Sequence, residues 1–422
     1  MKRARSHPAC ASAILPFAFC LFHFAFLLSL SPAALSGENA PDKPPDDAQK
    51  LLSEKERSRG PTFPGADPAF LVLPRPAERT QTARDLLTPQ VREMTEKTLA
   101  YLARTQDADG GWSDAHYASN TGVTALVCLA FMAEGSRPRI GRFGKPLNDG
   151  LEFLLKNVKK GSGVIAGKGC NPYGPMYEHT LSTLALLFAC GDMPWKPEIR
   201  GVLSDAVEAL KKSQRQDGGW RYLVTNVGNS DMSVTANVLW VLRTAKKCGF
   251  TVRQESIDKG VKYVEQCALP DGTFRYRQWG LHAAPSLGGT GIVALCNQGS
   301  IDHGGRARPL AEGIAFGQGA RGEHPLIPRA RDRIAYDYRR YTIEDLKERR
   351  YFVYGAFYAS LAMYMCGDPY WVPWFKRATE VLAAMQRKDG ELYDEFDNTV
   401  YPTAMAAILL QAPLGYLPIY ER

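Results

Sequence analysis

A short phrase, Gln106-Asp107-Ala108-Asp109-Gly110-Gly111-Trp112, returns as Gln214-Arg215-Gln216-Asp217-Gly218-Gly219-Trp220. Weaker copies stand at Asp271-Gly272-Thr273-Phe274 and at Gln386-Arg387-Lys388-Asp389-Gly390-Glu391-Leu392. Such self-similarity is the mark of a repeated supersecondary unit, here with a period of about 54 residues. On that period a copy falls near Gly161-Ser162-Gly163, which reads as a degenerate turn. Each strong copy separates two kinds of helix. Before Gln214, the residues Ile199, Val202, Leu203, Ala206, Val207 and Leu210 put apolar side chains on one helical face. After Trp220, the stretch Val234 to Leu242 is apolar around the axis, as in a helix buried on both sides. Asp-Gly-Gly turns the chain between them because glycine tolerates left-handed angles. The Trp that follows offers a large apolar wedge.

The alternation runs from Thr88 to the C-terminus about six times. Amphipathic helices need solvent on one side and apolar ones need protein on both. Two concentric layers meet both needs, so the spacing predicts an all-α protein, an α/α toroid of about six helical hairpins closing on themselves. An open solenoid fits the alternation as well. Thr88 is placed to cap the first helix, with Pro89 at its first position. Each outer helix is paired with the inner helix that follows it. The fifth outer helix is read near Pro309–Phe316, and the strongly basic stretch 317–350 as an insertion, either a lid or a solvated surface segment.

Ahead of the repeats, Lys2, Arg3 and Arg5 precede an apolar run from Ala11 to Leu30, with small residues at Ala34-Leu35-Ser36. This reads as an export signal or an uncleaved anchor over residues 1–36, giving membrane contact through this segment. A Pro-rich linker follows at 37–87, and 88–422 is the toroid. Of the nine cysteines, two lie in or before the apolar run. The remaining seven have no CxxC spacing and read as buried thiols. A net charge of +8 spread over 422 residues, without basic-aromatic or zinc-finger motifs, points away from nucleic acid.

The Q-x-x-D-G-G-W phrase resembles the repeat of the squalene/hopene cyclases and of their relatives, the β subunits of protein prenyltransferases. More narrowly, the chain is similar to secreted bacterial proteins of that superfamily with prenyltransferase/squalene-oxidase repeats and no assigned reaction. The resemblance implies the toroid and a hydrophobic central cavity. It says less about chemistry, because one fold hosts many functions. The cyclases place D-x-D-D-T-A at the start of an inner helix. The matching stretch is Asp231-Met232-Ser233-Val234-Thr235-Ala236, in which Ser233 and Val234 replace two carboxylates. A serine cannot be the acid that the cyclases use, so the departure counts against proton-initiated cyclisation. Asp231 is the one catalytic candidate, and a helix cap is its competing role. The zinc site of the prenyltransferases needs a Cys that Ser233 does not supply. His116, His179 and His282 have no partners at ligand spacing, so neither metal nor cofactor is expected.

Parallel inner helices would converge their N-termini on one electropositive rim. The candidate ligand-binding residues there are His116, Tyr177, His179, His282, Tyr354, Asp397 and Tyr401, with Trp240 and Tyr358 deeper. Aromatic faces of this kind suit an isoprenoid chain or a carbocation, and packed core is the alternative. Three functions follow: an enzyme or binder of an isoprenoid- or lipid-like molecule, a non-catalytic ligand- or protein-binding toroid, and a carbohydrate- or polymer-acting toroid using Asp394, Glu395 and Asp397.

Overall fold

Six inner helices form a closed ring in the computed structural model, which describes residues 85–115, 117–167, 174–280, 283–296 and 324–417. In chain order the helices are α1 (Pro89–Arg104), α2 (Thr121–Ala133), α3 (Gly144–Lys156), α4 (Met176–Ala189), α5 (Ile199–Lys212), α6 (Met232–Lys247) and α7 (Gln254–Cys267). They continue as α8 (Gly288–Cys296), α9 (Leu326–Arg340), the short α10 (Ile343–Lys347), α11 (Phe352–Met365), α12 (Asp368–Met385) and α13 (Val400–Leu410). The ring runs α2, α4, α6, α8, α11, α13 and back to α2, each helix packing on the next. Every residue of α2, α4 and α13 is buried, as expected of inner helices with protein on both sides, and this includes the polar Glu178, His179, Thr180, Ser182 and Thr183 of α4. Helices α1, α3, α5, α7, α9 and α12 form the outer layer. Each is seated principally on the inner helix that precedes it in the ring, rather than on the one that follows it in sequence. The first outer helix, α1, therefore rests on the last inner helix, α13, and closes the toroid.

The repeated phrase is the lock between units. Gly110, Gly163, Gly218, Gly272 and Gly390 all have positive φ. Each lies against a backbone carbonyl of the next outer helix, of Asp149, Asp205, Lys259, Arg329 and Lys97 respectively, closely enough that a Cβ would collide. The turn predicted at Gly161–Gly163 is thus a true member of the series. Gln106 and Gln214 each donate from one amide to two carbonyls, one in their own turn (Gly110, Gly218) and one at the start of the next outer helix (Pro146, Ser256). Gln386 does the same across the seam, to Gly390 and to Met94 of α1. Trp112 and Trp220 are fully buried and donate their indole N–H to Leu102 and Leu210 at the ends of their own outer helices. Their six-membered rings press on Gly150 and Gly260, where a side chain would collide.

One expectation is corrected. Residues 326–340, inside the basic stretch read as an insertion, form α9 and occupy the fifth outer position. Ile327, Ala330, Ile334 and Tyr338 give it the buried stripe, which the surrounding arginines hide from a reading by charge. Those arginines are engaged: Arg333 with Asp271 and Asp337, Arg349 with Asp337, and Arg331 over the Tyr370 ring. The segment 309–316, read as the fifth outer helix, lies outside the described residues, as does the N-terminal region 1–84. Thr88 caps α1 as expected, its hydroxyl accepting from the Val91 N–H. Among the described residues no helix is long and apolar enough to cross a membrane.

Candidate functional site

The N-terminal ends of neighbouring inner helices meet at one rim. Asp114, just before α2, accepts from the Thr399 and Tyr401 N–H groups at the start of α13. Thr121 of α2 donates to Glu178 of α4, Tyr177 of α4 donates to Ser233 of α6, and the Met232 N–H donates to Tyr276 before α8. Parallel inner helices are the only arrangement that brings these ends together.

Asp231 caps α6 and is completely buried. Its Oδ1 accepts from the Val234 N–H at 2.9 Å and from the Ser233 hydroxyl at 2.8 Å. Ser233 in turn accepts from the Tyr177 hydroxyl at 2.7 Å. The other oxygen, Oδ2, has no hydrogen-bond donor among the described residues and stands 3.9 Å from Nε of Arg221. Burial pushes this carboxyl above the ordinary aspartate range, against the opposing pull of the cap, Ser233, Arg221 and Arg277. Asp231 is therefore both a cap and an acid biased towards its protonated form.

A second chain of contacts runs inward from the same point. Asn237, one turn along α6, donates to the Ser233 carbonyl and accepts from the Tyr358 hydroxyl of α11 at 2.6 Å. The Tyr358 ring lies 4.8 Å from that of Tyr354, 5.0 Å from Phe357 and 6.5 Å from Trp240. Tyr177, Asp231, Trp240, Tyr354 and Tyr358, named separately from the sequence, are thus one connected set spanning α4, α6 and α11. Ser233 and Asn237 join them. The signal for these two was a pair of polar residues four apart in the largely apolar first half of the helix. The four aromatic rings are buried against one another.

The other candidates stand apart from this set. His179 points away from the rim network: Nδ1 accepts from the Ile165 N–H and Nε2 donates to the Ala206 carbonyl of α5, both at 3.1 Å. Burial lowers its pKa to about 4, so it is a neutral bolt between α4 and its outer layer. Tyr401 and Asp397 lie at the α13 end. Tyr401 is buried, while Asp397 is exposed with φ of 62°. Beside it, Asp394 accepts from the Phe396 and Asn398 N–H groups, and Glu395 from the Tyr351 N–H. Burial raises both carboxyls. Glu178 is also buried, with one oxygen accepting from Thr121 and from the Gly167 N–H. His116 and His282 lie outside the described residues. Among the described residues no group of His, Cys, Asp and Glu is arranged to hold a metal ion.

No family model matches the chain. Over 244 residues it is 25% identical to the squalene–hopene cyclase of Bradyrhizobium diazoefficiens, a match covering 52% of this chain and 35% of that enzyme. The chain thus matches about a third of the length of that curated relative. The fold is similar to a type II terpene cyclase, MstE from Scytonema, in complex with its product merosterolic acid A: TM-score 0.52, 14% identity, 78% of this chain and 99% of that one. It is also similar to an α-1,6-mannanase from Salegentibacter sp. HEL1_6: TM-score 0.54, 9% identity, 76% of this chain and 98% of that one. At these identities the two structural likenesses are likenesses of fold.

Proposed function

From a chain with the squalene-cyclase/prenyltransferase-like toroid fold, we propose a protein that binds an isoprenoid- or lipid-like molecule inside the inner ring and acts on it through Asp231. The observation that carries this reading is the Asp231 carboxyl: wholly buried, raised in pKa, with Oδ2 left without a hydrogen-bond donor among the described residues. The Trp240, Tyr354, Phe357 and Tyr358 rings lie further along the same network, Trp240 about 13 Å along α6 at the helical rise. The type II cyclase of the same fold supports the ligand class, since it has been captured with geranylgeranyl dihydroxybenzoate as substrate (TM-score 0.51).

In this reading the acid proton sits on Oδ2. An alkene brought to it takes the proton with its π pair, forming a C–H bond and leaving a carbocation on the neighbouring carbon. The electron pair of the broken O–H bond stays on Asp231. The carboxylate so formed is stabilised by the Val234 N–H, the Ser233 hydroxyl and the nearby Arg221. The aromatic π faces are suited to the cation. Return of a proton from a carbon next to the cation to the Asp231 carboxylate then gives the product alkene and restores the acid. The acid lies two residues before Ser233, the position of the cyclase acid, so this is a displaced version of that chemistry.

The test uses Asp231→Asn. Asparagine caps helices as well as aspartate does, so the fold is kept while the acid is lost. Wild-type protein is incubated with polyprenyl substrates and the extract is examined by mass spectrometry. Conversion by wild type and none by Asp231→Asn is the expected result. Conversion that survives the substitution removes Asp231 as the acid, and binding without conversion by wild type makes the protein a non-catalytic binder.

A carbohydrate-acting role is the second reading, supported by the mannanase of the same fold and by the raised Asp394 and Glu395 carboxyls at the rim. Both carboxylates already accept backbone N–H groups, Asp394 from its own loop and Glu395 from Tyr351 before α11, which disfavours it. Release of reducing ends from an α-1,6-mannan, abolished by Glu395→Gln, would establish it.

A further inference from the structure

Two loops before inner helices expose apolar side chains at the same rim. Leu223 is 52% and Val227 72% exposed in the loop that leads to α6, and Trp279 is 85% exposed in the loop that leads to α8. The loops are tied together: the Tyr222 and Tyr276 hydroxyls are hydrogen-bonded, and the Met232 N–H donates to the Tyr276 carbonyl. Each is fixed at its base, by pairing of Trp220 with Asp231 and of Arg275 with Ala283. Trp279 stands at the tip of a turn closed by the Gly280 N–H on the Arg277 carbonyl. All of the other six tryptophans are buried or half-buried, so the exposure of this one is a local property.

The composition of the two loops adds a sign. Residues 221–230 and 275–284 contain Arg221, Arg275 and Arg277 and no Asp or Glu. Apolar tips, flanking tyrosines and arginines without acids match the chemistry of a lipid headgroup boundary. There aromatic rings lie at the interface and cations meet anionic lipid. A solvated loop has no need of an exposed Trp, Leu and Val together. We infer that this rim is a docking face for an anionic lipid surface, with Trp279, Leu223 and Val227 entering the headgroup layer and the excess positive charge of the two loops drawn to the lipid phosphates. The inference stands on these loops alone and does not depend on a reaction at Asp231.

The full chain carries the apolar segment 11–30, so vesicle binding by itself does not locate the contact. The test is tryptophan quenching. The full chain is mixed with vesicles of phosphatidylcholine and phosphatidylserine containing brominated phosphatidylcholine. Expected are a blue shift and quenching of emission, both lost in Trp279→Phe and both weakened by salt. The triple variant Leu223→Ser, Val227→Ser, Trp279→Ser should lower the vesicle partition coefficient at least about tenfold, each side chain contributing apolar area removed from water. These positions are solvent-exposed, and an unchanged melting temperature verifies folding. Quenching that persists in Trp279→Phe, binding unaffected by the triple variant, or Trp279 emission that responds to soluble mannan and not to vesicles would each overturn the inference.

Discussion

At the residue scale, Asp231 and His179 show how burial turns an ordinary side chain into a fixed chemical state. Asp231→Asn keeps the cap, so its melting temperature should stay within a few degrees of wild type or rise slightly as the burial cost of a carboxyl is removed. Asp231→Ala leaves the Val234 N–H buried without its acceptor and should cost about 1–3 kcal/mol by denaturant unfolding. His179 makes a prediction in pH. Its pKa is lowered from 6.5 to about 4, so the fold requires the neutral ring. Below pH 6.5 the unfolded chain takes up a proton that the folded chain refuses, and stability falls as pH drops towards 4. The contribution at stake is on the order of 3 kcal/mol. His179→Asn does not titrate, so the melting-temperature advantage of wild type over it should be full above pH 6.5 and narrow steadily below.

At the scale of the element, the glycine turn of each repeat does two separate things, and two substitutions separate them. Gly161 has positive φ with open space around it, so Gly161→Ala should cost only the left-handed backbone penalty, about 1–2 kcal/mol. Gly218 has the same hand, but a Cβ there would stand 2.5 Å from the Lys259 carbonyl oxygen. Gly218→Ala must also push α7 away from the turn and should cost about 3 kcal/mol or more. Chemical denaturation of the two variants measures the difference, and equal costs would mean that the close approach of turn and helix is unimportant. The same logic explains Gly150 and Gly260 on the following outer helices, where the space of a side chain is taken by a tryptophan of the preceding unit.

At the scale of the whole molecule, closure joins the two ends of the repeat array. The seam carries Gln386 on the Met94 carbonyl, Gly390 against Lys97, the Arg104–Asp389 ion pair, and Asp114 on the N–H groups of Thr399 and Tyr401. Of these, Asp114 is the buried and charge-assisted contact, since the ion pair is half exposed and worth little. Asp114→Ala should therefore loosen α1 and α13 together, read as faster amide hydrogen exchange in both, with the opposite side of the ring (α5, α6) unchanged. Exchange that rises in α13 alone would mean that the seam is not cooperative.

The sequence by itself determined the all-α class, the two kinds of helix, the turn at each repeat and even the degenerate copy at Gly161–Gly163. All of these follow from local periodicity and from the backbone angles that only glycine accepts easily. It also named Tyr177, Asp231, Trp240, Tyr354 and Tyr358 as separate residues, because an inner helix with hydroxyls, a carboxyl or a large ring stands out against apolar neighbours. Only the tertiary structure decided which of these meet. The Tyr177–Ser233–Asp231 contact joins residues 56 apart, and Tyr358–Asn237 joins residues 121 apart, distances that no local pattern encodes. It also decided that His179 is a neutral bolt rather than a rim group, since the side a buried helix turns to its outer layer cannot be read when polar residues such as Glu178, His179, Thr180, Ser182 and Thr183 are spread around it. And it decided that residues 326–340 are a structural outer helix, because a stripe of Ile, Ala and Tyr among arginines carries its meaning only once there is a groove for it to fill.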